Sequence, residues 1–122
     1  RTLCNELIAD PGVLQNYEVE LKDAIYCKQF HELDLDEDVA IGYTFKSLGS
    51  AFTSLRQGSD IELVLNNLVM EAGDADSNAC VAGSLLGCLY GYDKLPAQWI
   101  QAMPHKQWLD TKISQFITLA NN

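Results

Sequence analysis

Residues 39–56 read VAIGYTFKSLGSAFTSLR. Large apolar residues recur in this stretch after four, three, four and three positions, a spacing that places them on one face of an α-helix. They are Ile41, Phe45, Leu48, Phe52 and Leu55. This stretch is the clearest helix of the sequence, and we expect its apolar stripe to face the core.

The next helix has its own start and stop signals. Ser59 can cap its first turn, Glu62 can reach back to complete a capping box, and Gly73 can end it. Its predicted buried stripe consists of Ile61, Leu65, Leu68 and Ala72.

A further helix is predicted from Ser77 or Asn78 to about Tyr90. Small residues recur along it at every fourth position and would form a smooth groove, namely Ala79, Gly83, Gly87 and Gly91. Each glycine inside a helix costs about 1 kcal/mol relative to alanine, so the groove predicts close packing that offsets this loss. We therefore expect this helix at the centre of the fold.

Weaker helical patterns occupy both ends of the chain. Pro96 can start a short helix over residues 97–103, and Pro104 can start a last helix. The predicted inward face of the last helix comprises Leu109, Ile113, Phe116, Ile117 and Ala120. Residues 2–9 and 17–30 are also predicted to be helical. No run alternates apolar and polar residues as a strand would, so the fold class is predicted to be all-α.

Composition limits the classes of function. The 122 residues include 8 basic and 17 acidic side chains, a formal net charge of −9, and 48% apolar residues. The basic residues form no cluster, which argues against a nucleic-acid partner. The longest stretch of low polarity, residues 79–92, is shorter than the roughly 20 apolar residues of a membrane span. The composition fits one compact domain.

The cysteines bear on the cellular compartment, and the first residues bear on whether the sequence is a fragment. Cys80 and Cys88 are eight residues apart in a predicted helix, roughly 12 Å, which is too far for a disulfide. With Cys4 and Cys27 they are predicted to be buried reduced thiols in a cytoplasmic protein, and disulfides in a secreted protein are the alternative. The chain begins with Arg1 and has no apolar leader, so we expect a fragment of a longer chain.

The segment 73–78, GDADSN, is the strongest candidate for chemistry. Asp74 and Asp76 in a turn can point their carboxylates to one side, and the Ser77 hydroxyl adds a third hard oxygen suited to Mg²⁺ or Mn²⁺. The alternative is that Asp76 or Ser77 caps a helix and Asp74 is a solvated turn residue.

Other arrangements of acidic residues and histidines fit known sites less well. An EF-hand loop starting at Asp74 would place Ala79 and Leu85 where glycine and glutamate are required. The acidic segment before the helix of residues 39–56 is predicted to be a solvated capping segment, with an acidic lip near a metal site as the alternative. Its members are Glu32, Asp34, Asp36, Glu37 and Asp38. No nucleophile signature accompanies His31 or His105.

Several segments together resemble a known family. Residues 71–79 (EAGDADSNA), 81–87 (VAGSLLG), Gly91 and 95–99 (LPAQW) closely resemble the C-terminal signature of ADP-ribosylglycohydrolases. Residues 41–45, 55–56 and 105–110 also resemble the branch typified by dinitrogenase reductase-activating glycohydrolase. The resemblance covers about residues 39–120.

The resemblance implies an all-α, compact orthogonal helical bundle that cleaves the glycosidic bond between ADP-ribose and a protein side chain, with two Mg²⁺ or Mn²⁺ ions. Asp74, Asp76 and Ser77 would be metal ligands. Tyr43 would line the ADP-ribose pocket, and core packing is its alternative role. Tyr43 lies about 200° round the helix from Ile41, which favours a face of its own.

The resemblance also implies a missing half. The family carries a second metal half-site in a Thr-Asp-Asp run near its N-terminus, and no threonine here precedes Asp-Asp. We therefore expect residues 1–122 to be the C-terminal part of the domain, with catalytic residues in the missing part. The parent would act on ADP-ribosylated protein, with arginine as the acceptor, or bind ADP-ribose. This chain alone is expected to bind metal weakly without turnover, and a non-catalytic helical relative with a structural or binding role is the alternative.

Overall fold

The computed structural model describes residues 17–121, which form six α-helices, two short 3₁₀ helices and no strand. The prediction of an all-α fold is confirmed for this part of the chain. The predicted helix over residues 2–9, and Cys4 within it, lie outside the described residues. The α-helices are α1 (Glu18–Tyr26), α2 (Thr44–Gln57), α3 (Ile61–Met70), α4 (Ala75–Tyr90), α5 (Ala97–Ala102) and α6 (Lys106–Ala120), and the 3₁₀ helices are Phe30–Leu33 and Tyr92–Lys94.

The helices α2 and α4 form the centre of the fold. The most extensive contact between elements joins α2 to α4, and α1 packs against α2 while α3 packs against both. The central position predicted for α4 is therefore confirmed. The core lies among these elements and consists of Phe30, Leu35, Ala51, Ile61, Val64, Leu68, Ala82 and Leu86.

The buried face of α2 differs from the predicted stripe. The helix begins at Thr44, so Ile41 precedes it and is 43% exposed, and the other four stripe residues are only partly buried. Small residues occupy the buried face because they let neighbouring helices approach closely. A Cβ atom added to Gly49 would lie 3.1 Å from the carbonyl oxygen of Ala24 in α1. The buried residues of α2 are Lys46, Gly49, Ser50, Ala51, Thr53 and Ser54.

The start and the stripe of α3 are also partly different. Asp60 is the N-cap, and its side chain accepts a hydrogen bond of 3.0 Å from the Leu63 N–H. The predicted capping box was therefore wrong, and Glu62 accepts a hydrogen bond from Gln98 instead. In the predicted stripe, Ile61 and Leu68 are buried, Leu65 is partly buried, and Ala72 lies exposed beyond the end of the helix.

The face of α4 that is most deeply buried is not its glycine groove. The helix starts at Ala75, earlier than predicted, and buries Asn78, Ala82 and Leu86. A Cβ atom added to Gly83 would make ordinary contact with Leu65 at 3.6 Å, and one added to Gly87 would meet no atom of residues 17–121 within 4 Å. The expected close approach at the groove is therefore wrong at Gly87.

This open space predicts that Gly87→Ala stabilises the fold. Alanine lowers the cost of a mid-helix residue by about 1 kcal/mol and has room here, so we expect the free energy of unfolding to rise by about that amount. Urea denaturation followed by circular dichroism measures the change. Gly49→Ala is the matched control and should destabilise, because its Cβ atom would lie 2.7 Å from Leu33 Cδ2 as well as close to Ala24. A loss of stability in Gly87→Ala would contradict the prediction.

The two C-terminal helices lie where they were predicted, but the last one is not buried. The helix α5 ends at Ala102, α6 begins at Lys106, and α6 contains no buried residue. Its predicted inward face is wrong for residues 17–121, since Phe116 is 70% exposed and Ile117 is 52% exposed. Periodicity correctly identified an apolar face, but no described element covers it.

The thiols are less buried than predicted. Cys27 is buried, which raises the pKa of its thiol, whereas Cys80 and Cys88 are exposed. All three are free cysteines, so the prediction of reduced thiols agrees with the described residues and the prediction of burial is wrong for two of them. Among residues 17–121, no helix combines the length and the apolar character needed to cross a membrane.

Candidate functional site

The helices α2 and α4 begin side by side. Their N-caps are Tyr43 and Asp74, and a Cβ atom added to Gly42 would lie 3.8 Å from Oδ2 of Asp74. One turn further into each helix, the Ser47 hydroxyl donates a 2.8 Å hydrogen bond to Oδ1 of Asn78. The positive ends of both helix dipoles therefore lie at the same end of the fold, next to the predicted metal ligands.

The three predicted metal ligands lie at the start of α4. Asp74 is the N-cap, but its side chain makes no capping hydrogen bond, while Asp76 and Ser77 lie exposed in the first turn. The alternative in which Asp76 or Ser77 is the N-cap is therefore wrong. The Asp74 carboxylate is therefore not used to cap α4.

The carboxyl groups of Asp74 and Asp76 interact directly. The pKa of Asp76 is lowered, chiefly by a hydrogen bond with the Asp74 side chain. Hydrogen bonds from the backbone N–H groups of Ser77 and Asp76 lower it further. Two carboxylates in contact repel each other unless a proton or a cation lies between them. The pair thus has the arrangement that a divalent cation would stabilise.

The donor set fits part of a metal site. Two carboxylates and one hydroxyl are hard oxygen donors of the kind that Mg²⁺ and Mn²⁺ prefer. In the described part of the chain, no three carboxylate, histidine or cysteine side chains approach one another closely enough to hold an ion. Asp74, Asp76 and Ser77 would therefore fill only part of an octahedral shell.

The acidic segment lies against the turn that carries Asp74. A Cβ atom added to Gly73 would lie 1.9 Å from the carbonyl oxygen of Leu35, so the two backbones touch. Lys46, buried in α2, holds the segment by an ion pair of 3.0 Å with Glu37 and a hydrogen bond to the Asp34 carbonyl oxygen. The segment was predicted to cap α2, and this is wrong because the helix begins only at Thr44. The segment's acidic side chains are exposed to solvent, as predicted. The acidic segment therefore borders the turn that carries Asp74, and its role as an acidic lip stays a prediction.

Tyr43 borders a cleft of about 300 Å³ between α1 and α2. Its side chain is 37% exposed, and its hydroxyl donates a 2.6 Å hydrogen bond to Glu20 Oε2, which raises the pKa of Tyr43 to about 12. Its ring lies 5.2 Å from that of Phe45. The structure therefore brings Gly42 to Asp74 but directs the Tyr43 hydroxyl towards Glu20. The exposure of Tyr43 does not fit core packing.

Ser47 and Asn78 belong to the site but were not predicted from the sequence. Asn78 shares the spacing of Ala82 and Leu86, so an amide on an otherwise apolar helix face was the available signal. Its partner Ser47 is 31 residues away, and periodicity cannot connect the two.

Two curated proteins are similar to part of this chain. A protein of Acanthamoeba polyphaga mimivirus named as an ADP-ribosyl glycohydrolase is 36% identical over 62 residues, which are 51% of this chain and 18% of that protein. The ADP-ribosylarginine hydrolase of Serratia proteamaculans is 24% identical over 92 residues, which are 75% of this chain and 25% of that protein. The chain thus spans a quarter or less of the length of these relatives. No solved structure shows a significant match.

A sequence profile of one family covers nearly the whole chain. The profile describes ADP-ribosylglycohydrolases and matches residues 2–122, which include the candidate metal turn, the acidic segment and Tyr43. The chain therefore belongs to the ADP-ribosylglycohydrolase family.

Proposed function

We propose that this chain supplies part of the active site of a metal-dependent hydrolase that breaks the glycosidic bond between ADP-ribose and a protein side chain. The observation that carries the proposal is the junction of α2 and α4. There the Asp74 carboxylate, which does not cap its helix and interacts with the Asp76 carboxyl group, lies beside Gly42, next to the start of the helix that presents Tyr43. Family membership supports the same activity.

Each residue of the junction has a role in this proposal. Asp74, Asp76 and Ser77 hold Mg²⁺ or Mn²⁺ through oxygen atoms, and Tyr43 lines the adjoining pocket for ADP-ribose. When bound, the ion orients ribose oxygens and activates water, in a centre that contains two ions when complete. The chain itself positions these oxygens and excludes solvent from the Asn78 side of the turn.

The ligand is an anion, and the chain carries a net charge of −9. Two features offset this repulsion. The first turns of α2 and α4 direct backbone N–H groups and the positive ends of two helix dipoles towards the site, which suits a diphosphate. Divalent ions also invert the local sign of the charge around the carboxylates.

The finer parts of the proposal rest on separate support. Arginine as the acceptor is supported by the name of the Serratia relative, and the dinitrogenase reductase-activating branch by the resemblance in residues 41–45, 55–56 and 105–110. The apolar face of α6, which no element of residues 17–121 covers, supports a role as the C-terminal part of a longer domain that supplies the catalytic residues. A cytoplasmic location stays a prediction. The partial ligand set is the observation that favours the alternative, a non-catalytic helical relative.

Calorimetric titration of the chain with ADP-ribose, in the presence and absence of Mn²⁺, tests the proposal. We expect ADP-ribose binding that requires Mn²⁺ and that falls at least tenfold in the Asp74→Ala/Asp76→Ala double variant. The matched control is Asp93→Ala/Asp110→Ala, which also removes two carboxylates. Asp93 follows the far end of α4, about 24 Å along the helix from Asp74, and Asp110 lies in α6.

The control variant should bind as the unchanged chain does. Equal affinity in the unchanged chain and the Asp74→Ala/Asp76→Ala variant would refute the proposed ligands. Absence of any response to Mn²⁺ or ADP-ribose in the unchanged chain would favour the non-catalytic alternative.

A further inference from the structure

One hydrogen bond joins the two helices that form the candidate site, and it lies at matched positions. Ser47 is four residues after Tyr43, the N-cap of α2, and Asn78 is four residues after Asp74, the N-cap of α4. The 2.8 Å bond from Ser47 Oγ to Asn78 Oδ1 therefore ties the first turn of one helix to the first turn of the other. On α4, the bond is made by the residue that directly follows the three residues proposed to hold metal.

Asn78 is also linked to Asp74 through the backbone. Its N–H donates a 3.0 Å hydrogen bond to the Asp74 carbonyl oxygen and so closes the first turn of α4. The side chain of Asn78 is thus anchored to α2, while its backbone is anchored to the residue whose carboxylate faces Gly42. A shift of Asn78 relative to α2 would rotate the turn that carries Asp74, Asp76 and Ser77.

The chemistry of Asn78 argues that stability alone does not account for it. The residue is 1% exposed, and its Nδ2 atom has no hydrogen-bond partner among residues 17–121. A buried amide with an unpaired donor is unfavourable, whereas an apolar side chain of similar size at this position would avoid the loss. Ala82 and Leu86, on the same face of α4, are such apolar residues.

We propose that Asn78, held by Ser47, is a positioning residue that fixes the orientation of the metal-binding turn. This inference rests on the proposed function, because it concerns the same ligands. Asn78 touches neither metal nor substrate and acts through the first turn of α4. Its side-chain hydrogen bond with Ser47 fixes the orientation of that turn relative to the start of α2. The cost of placing an amide there is an Nδ2 atom that has no partner in the described part of the chain.

Variants of the full chain separate positioning from a purely structural role. Asn78→Leu replaces the amide by an apolar side chain of similar size, and Ser47→Ala removes only the donor hydroxyl. Ser47→Thr keeps the hydroxyl and serves as the conservative rescue. Ser54→Ala is the control, because Ser54 is buried in α2, its hydroxyl has no hydrogen-bond partner in the described part of the chain, and it is seven residues from Ser47.

Two readouts are needed, Mn²⁺ affinity in the presence of ADP-ribose and hydrogen exchange of the amide at position 78. We expect Ser47→Ala and Asn78→Leu each to weaken Mn²⁺ binding about tenfold and to speed exchange about tenfold. The double variant should lose no more than either single one, and the melting temperature of Asn78→Leu should not fall. Ser47→Thr and Ser54→Ala should match the unchanged chain in both readouts.

The outcomes distinguish this inference from the proposed function. Unchanged Mn²⁺ affinity in Asn78→Leu, together with a lower melting temperature, would show a structural role only and overturn the inference while the proposed function stands. Exchange at the rate of the unchanged chain in both single variants would overturn it without reference to metal. An unchanged chain that binds no Mn²⁺ would refute the proposed function, and the positioning role would fall with it.

Discussion

Replacing Gly73 by alanine is expected to destabilise the fold by about 3 kcal/mol or more and to displace the candidate metal turn. The added Cβ atom would lie 1.9 Å from the carbonyl oxygen of Leu35 and 2.6 Å from its carbonyl carbon. Both are backbone atoms, so no side-chain rotation relieves the overlap. Gly73 also has φ of +67°, where an L-residue is strained by about 1–2 kcal/mol.

The clash can be relieved only by moving the turn away from the acidic segment. We therefore expect Gly73→Ala to lose Mn²⁺ affinity even at temperatures where it stays folded. Urea denaturation gives the change in stability, and calorimetry gives the metal affinity. The matched control is Gly91→Ala, because Gly91 has φ of +85° but no described residue lies within 4 Å of its added Cβ atom.

Gly91→Ala should lower the free energy of unfolding only by the strain of the positive φ, because the added Cβ atom meets no clash. It should leave metal affinity unchanged. Equal losses of stability in the two variants would show that the backbone of Leu35 moves aside at no cost. Retained metal affinity in Gly73→Ala would show that the contact between the turn and the acidic segment does not hold the ligands in place.

The helices could be predicted from the sequence because apolar residues recur in them with the 3.6-residue period of an α-helix. What the sequence could not specify was which face each helix buries. In α2 the large stripe residue Leu48 is only partly buried, while small Ser50 and Ser54 face the interior. Small residues allow two helix backbones to approach closely, and that preference depends on the neighbouring helix rather than on local hydrophobicity.

The last helix shows the same limit in its strongest form. Its apolar period predicted an inward face, yet Phe116 and Leu119 are among the most exposed apolar residues of the described chain. The spacing of apolar residues indicates that one face of the helix needs a packing partner. It does not indicate whether residues 17–121 provide that partner.

The candidate site was predictable only where its residues are neighbours in sequence. Asp74, Asp76 and Ser77 form one local motif, and the structure places them together at the start of α4. The contacts that hold this turn are nonlocal. Gly73 touches Leu35, and Asn78 is bonded to Ser47, 31 residues away. Patterns within a single sequence cannot predict contacts between residues that lie so far apart in the chain.

The second large effect is expected from Leu86→Ala. Leu86 is 0% exposed and belongs to the core between α4 and its neighbours. Truncation of a fully buried leucine removes its transfer free energy and leaves a cavity, which together cost about 2–5 kcal/mol. Leu89→Ala on the same helix is the matched control, since Leu89 is 59% exposed and its loss should cost no more than about 0.5 kcal/mol. Urea denaturation of both variants measures the difference.

Leu86→Ala also separates the fold from the site. Leu86 is twelve residues after Asp74, about 18 Å along α4, so the cavity lies far from the metal turn. In the fraction of molecules that remain folded at low temperature, Mn²⁺ affinity should therefore equal that of the unchanged chain, in contrast to Gly73→Ala. A parallel loss of stability and affinity in Leu86→Ala would mean that the turn depends on the packing of the whole of α4, and that the contacts at Leu35 and Ser47 do not fix it by themselves.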